Sequence, residues 1–137
     1  MILGPERFTE QAQESLNNSQ LILNRYRHNQ WDCEHILMAL IEQEKGVPAE
    51  ILNELGVNIE VFHARFHNML ENSQKTGGLA EQMYQTPRLE DLLLKAEAEA
   101  GRLNDEFIGS EHLLIGLTQE EHGEVAEALS EFGVTTE

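Results

Sequence analysis

The sequence predicts an all-α fold: a duplicated four-helix repeat with pseudo-twofold symmetry, the last helix of the second copy cut short where the chain stops. Three observations predict it. The chain matches itself at a constant offset, its apolar side chains recur at helical spacing, and no alternating strand pattern of useful length occurs. Three prolines and ten glycines in 137 residues also argue against a loop-rich β fold.

The offset is 77 residues. It lays Glu34-His35-Ile36-Leu37-Met38-Ala39-Leu40 on Glu111-His112-Leu113-Leu114-Ile115-Gly116-Leu117, and Gly56-Val57 on Gly133-Val134. Thr9 falls on Thr86, Leu16 on Leu93 and Arg25 on Arg102. Positions 8–57 align with 85–134 without a gap and share 15 identities. The spacing predicts a first helix from Thr9, a good N-cap, to His28, with Ala12, Leu16, Leu23 and Tyr26 on one stripe. A second helix follows Asp32 as N-cap, runs from Cys33 to Glu44 and buries Ile36, Leu37, Leu40 and Ile41, before Gly46 ends it. Val47 to Leu55 forms a short third helix, with Pro48 tolerated in its first turn and Gly56 as its stop. Asn58 caps a fourth, to Asn72, with Ile59, Phe62, Phe66 and Met69 inward.

The second copy repeats the plan, with helices over 87–104, 110–121 and 124–132, the second capped by Gly109 or Ser110. A fourth would begin at Thr135, and the chain stops at Glu137. The reading is therefore one domain over 1–137, with repeat one at 8–72, a polar linker at 73–85 that contains Gly77-Gly78, and repeat two at 86–134.

Composition narrows function. The formal net charge is −16, with −11 of it in residues 69–137 and −5 in residues 1–68. Such a surface repels phosphate backbones and anionic lipid, so neither nucleic acid nor membrane is an expected partner. No apolar run approaches the roughly 20 residues of a membrane span, and the N-terminus lacks the apolar stretch of a signal peptide. A single cysteine, Cys33, excludes an intrachain disulfide and suits a cytoplasmic setting.

Catalytic signatures are missing. No phosphate-binding Gly-x-x-x-x-Gly-Lys run and no Gly-x-Ser-x-Gly elbow occurs, and no cofactor is expected in this chain. His63 and His67 stand at metal-ligand spacing without a third ligand nearby, and are expected as surface or half-buried residues. His35 and His112 are expected to tie each helix start to neighbouring backbone. Glu34 and Glu111 lie in first turns, where the helix dipole alone accommodates a carboxylate. Their duplication, with Thr9 and Thr86 as hydroxyls beside helix N-termini, also suits two equivalent patches for a guanidinium carrying a polar or anionic group. Both readings stand at this point. In the second, Thr9 is expected beside Glu34, and Thr86 beside Glu111 with Asp105 close by.

Phe8-Thr9-Glu10, the Glu34–Leu40 block and Leu55-Gly56-Val57, each with its second copy, resemble the Clp N-terminal repeat domain over residues 6–134. That domain stands at the front of Clp AAA+ unfoldases and disaggregases. Asp105-Glu106-Phe107-Ile108 and Thr76-Gly77-Gly78 are similar to ClpB-type members, and Gly4 to Ala12 is similar to ClpC-type members; the ClpB type is favoured. The resemblance implies a non-catalytic recognition domain for unfolded or aggregated clients, arginine-phosphorylated ones included, or for adaptor proteins. It implies ATP and hexamer formation only in downstream ATPase domains. It carries a binding role onto Thr9, Glu34, Thr86, Asp105 and Glu111. The alternative is a stand-alone adaptor or stress protein of the same fold without a ring.

Overall fold

Residues 5–43, 46–71, 84–119, 129–130 and 133–134 are described by a computed structural model. After a 3-10 turn at Pro5–Arg7 come α1 (Glu10–Arg25), β1 (Gln30–Trp31), α2 (Cys33–Glu42), α3 (Val47–Glu54), α4 (Ile59–Glu71), β2 (Tyr84–Gln85), α5 (Pro87–Arg102) and α6 (Ser110–Thr118). Leu129 and Ser130 are helical; the rest of the helix expected over 124–132 lies outside the described residues, as does the linker before Tyr84.

Local chemistry sets the helix starts. The Ala12 N–H donates to Thr9 Oγ1 (3.1 Å), and the Leu89 N–H donates to Thr86 Oγ1 (3.1 Å). Asn58 Oδ1 takes the amides of Glu60 and Val61. Each satisfies donors that a helix N-terminus leaves unpaired. The long helices end two or three residues sooner than their apolar stripes predict. Arg27 (φ 56°) and Asn104 (φ 61°), equivalent under the 77-residue offset, are left-handed. That turn lets the His28 N–H reach Leu23 O (2.9 Å) and the Asp105 N–H reach Ala100 O (2.8 Å). Gly56 (φ 81°) and Gly133 (φ 77°) close the short helices in the same way.

Sequence periodicity could not reveal how the copies interlock. β1 and β2 are parallel, with Trp31 opposite Gln85, and Phe8 bridges Ile108. Under the offset these are the same pairing made twice: the residue before each capping threonine joins the segment ahead of the other copy's Glu-His helix. Two strands of two residues are too short to leave an alternating pattern. One hydrophobic cluster runs through both copies, including Leu16, Leu37 and Leu40 from the first and Leu93, Leu114 and Leu117 from the second.

Side-chain size is exchanged between the copies at the helix crossings. Ser15 and Ala39 occupy the places of Leu92 and Gly116. A Cβ on Gly116 would stand 2.8 Å from Leu92 Cδ1, so the glycine makes room for the larger partner. In repeat one, α4 seals the end of the bundle: Phe62 and Phe66 are fully buried, their rings edge-to-face at 4.9 Å, and Tyr26 is 2% exposed. Its equivalent Leu103 is 44% exposed, since α4 has no counterpart among the described residues.

Candidate functional site

The crossed arms decide which predicted residues meet. The Thr86 N–H donates to Trp31 O (3.2 Å), and the Thr86 hydroxyl donates to Asp32 Oδ1 (3.0 Å). Thr86 of repeat two therefore stands at the head of α2, which carries Glu34 of repeat one. The Thr9 N–H donates to Ile108 O (2.9 Å), and the Ser110 hydroxyl donates to Gln11 Oε1 (2.9 Å), so Thr9 stands at the head of α6, which carries Glu111. The expected pairing within each repeat is corrected to one across repeats. The cause is the strand exchange, which inserts each N-terminal arm into the opposite copy.

The two patches are equivalent in backbone and different in charge. At the Glu34 patch, Arg88 Nη1 donates to Asp32 Oδ2 (3.1 Å) and Glu34 Oε1 (3.2 Å). The Glu34 side chain is 14% exposed. Burial, and then the neighbouring Asp32 charge, push its carboxyl above the ordinary value, while the Arg88 guanidinium pulls it back. At the Glu111 patch, the offset puts Gln11 where Arg88 is, Gly109 where Asp32 is, and Ser110 where Cys33 is. The Glu111 carboxylate folds over the bare Gly109 backbone. Asp32 and Arg88 were not among the predicted site residues. The signal was there: both break the internal repeat beside positions that keep it.

The two histidines hold the helix starts, as the sequence suggests. The Asp32 N–H donates to His35 Nδ1 (3.0 Å), and the Gly109 N–H donates to His112 Nδ1 (2.8 Å). A backbone N–H can only donate, so each imidazole carries its proton on Nε2. His35 Nε2–H then donates to His28 Nδ1 (2.8 Å), and His28 Nε2–H to Leu70 O of α4 (3.1 Å). In repeat two, His112 Nε2–H donates to Asp105 Oδ2 (2.8 Å). Glu111 Oε1 lies 3.9 Å from His112 Nδ1, whose lone pair already faces Gly109, so the two are not an ion pair. Asp105 is thus anchored to the imidazole next to Glu111, half exposed, where repeat one has the buried His28. His63 reaches Glu42 (3.1 Å), and His67 bonds the Tyr26 hydroxyl.

Residues 7–132 match the family model of the Clp repeat N-terminal domain. The chain belongs to the Clp N-terminal repeat family. "Negative regulator of genetic competence ClpC/MecB" of Bacillus subtilis (strain 168) is 32% identical over 129 residues, 94% of this chain and 16% of the relative. "Chaperone protein ClpB 1" of Synechocystis sp. is 34% identical over 117 residues, 85% of this chain and 13% of the relative. Among solved structures, a ClpV N-domain in complex with a VipB peptide superposes with a TM-score of 0.73, at 14% identity and over 93% of this chain and 79% of that one. The Clp N-domain matches therefore span a small fraction of their curated relatives. No described helix is long and apolar enough to cross a membrane.

Proposed function

We propose that this chain is a substrate- or adaptor-binding N-terminal domain of a Clp AAA+ unfoldase or disaggregase, folded as one unit over its two repeats. The observation that carries the reading is the pair of equivalent patches, each with a capping threonine from one copy at the head of the helix that carries the other copy's first-turn glutamate. Thr86 with Glu34, and Thr9 with Glu111 and the neighbouring Asp105, present carboxylates suited to cationic groups of extended protein segments beside donors suited to an attached anion. ATP turnover and a hexameric ring belong to downstream domains in this reading, and the setting is the cytoplasm. The peptide-bound ClpV relative supports protein segments as partners. Relatives of ClpB and ClpC type match at similar identity, so the ClpB assignment rests on the Asp105–Ile108 block and the Thr76-Gly77-Gly78 stretch of the sequence. Reading the gene beyond residue 137 separates this from a stand-alone adaptor: a phosphate-binding Gly-rich loop there marks a ring subunit.

Fluorescence anisotropy with a permanently unfolded polypeptide, with and without phosphorylated arginine, tests the patches. Small polar patches bury little area, so binding is expected to be weak and to weaken further with salt. Glu34→Ala with Glu111→Ala is expected to lower affinity at least five-fold with unchanged circular dichroism. Unchanged affinity would reduce both glutamates to helix-start residues.

A further inference from the structure

The two patches differ in one decisive respect, the presence of an internal cation. Asp32 and Glu34 bring two carboxylates to the head of α2, and the Glu34 side chain is only 14% exposed. A half-buried pair of like charges is unfavourable unless a cation or a proton joins it. The chain supplies the cation itself. Arg88, at the second helical position of α5, reaches across the copy boundary and puts one nitrogen 3.1 Å from Asp32 and 3.2 Å from Glu34. Its side chain is 36% exposed, against 17% for Asp32 and 14% for Glu34, so Arg88 is the most accessible member of the cluster.

The other patch lacks this arrangement. Gln11 replaces Arg88, and its amide oxygen is engaged by the Ser110 hydroxyl (2.9 Å) and the Val47 N–H (3.4 Å). Gly109 replaces Asp32. Among the described residues no arginine or lysine reaches Glu111, whose side chain is 37% exposed.

We propose that Arg88 is a built-in competitor that occupies the Glu34 patch with the chain's own guanidinium, so that a client arginine meets one open patch, at Glu111, and gains the second only by displacing Arg88. The proposal rests on the reading of these patches as peptide-binding. It makes the domain functionally asymmetric despite its symmetric backbone. It also defines the ligand of the closed patch as a guanidinium, the group that Arg88 itself presents to Asp32 and Glu34. Exchange is feasible because an incoming guanidinium takes over the bonds of Arg88 to the two largely buried carboxylates and leaves neither charge uncompensated.

Two-dimensional NMR of the chain with N-acetyl-arginine amide at millimolar concentration tests it. In the parent protein the shifts should be confined to Thr9, Ser110 and Glu111. Arg88→Gln, which installs the residue that repeat two's patch already uses, should add a second set at Asp32, Glu34 and Thr86 without disturbing the first. Arg88→Lys, which keeps a cation without the planar fork, should give a smaller second set and guards against misfolding of the glutamine variant. Carboxyl carbon titration supplies a readout independent of ligand: Glu34 should titrate at higher pH in Arg88→Gln than in the parent. Equal shifts at both patches in the parent, no second set in either variant, or an unmoved Glu34 titration would overturn the proposal. A second set in Arg88→Gln with no shift at Glu111 in any variant would leave the Arg88 lock standing and sink the Glu111 patch.

Discussion

His35 shows how one side chain can hold a helix start, a neighbouring loop and a fourth helix together. It accepts from Asp32, donates to His28, and through His28 reaches the Leu70 carbonyl of α4. Every proton in this relay is assigned with both rings neutral, so adding one forces two N–H groups to face each other. Burial first, and then the His28 ring, lower the His35 pKa to about 4. The unfolded chain takes up this proton near the ordinary histidine value, about 6.5, and the folded chain only near 4. Stability from this group is complete above the unfolded value and is lost as pH falls between the two, by about 3 kcal/mol in all. Urea titrations from pH 7 to 4.5 should show that decline, and His35→Gln should flatten it after the shared carboxylate contribution is subtracted. A slope unchanged by the substitution would mean that the relay does not set the acid limit.

The helices were legible in outline because each buries a stripe at its own period. Leu40 and Leu117, both 1% exposed, occupy equivalent places on α2 and α6. Truncating either to Ala should cost roughly 2–5 kcal/mol, the transfer energy plus the cavity left behind. Denaturant titration at constant slope measures it, and a loss below about 1 kcal/mol at both sites would mean the helices present a different face. Helix ends were less legible. Arg27 and Asn104 take left-handed conformations that a sequence reader assigns to glycine, and the strain is offset by the backbone bonds each turn completes.

At the scale of the molecule, the two copies stabilise each other through exchanged arms. Phe8 is 3% exposed and pairs with Ile108, whose N–H donates to Arg7 O (2.8 Å). Deleting residues 1–9 should therefore loosen repeat two before repeat one, although the deleted arm leads into repeat one. Hydrogen exchange should accelerate at Ile108 and through the first turn of α6, while α4 and the C-terminal half of α2 keep their protection. Loss of protection confined to α1 would show that the arm stabilises only its own copy.

The duplicated Glu-His block, the two capping threonines and the spacing of Ile36, Leu37 and Leu40 are local patterns, and local hydrogen bonding and one-sided burial make such patterns readable along the chain. From them came the duplicated all-α architecture, the core faces and the residues at the head of each helix. Partnership across the fold was not encoded that way. Four residues of strand and one bridge send Thr86 to the head of α2 and Thr9 to the head of α6, too few for any periodicity to register. The same crossing brings Arg88 to Asp32 and Glu34, 56 and 54 residues away in sequence. A guanidinium interacts through space with whatever charge the fold places within a few ångströms, so its partners exist only once the tertiary structure has formed.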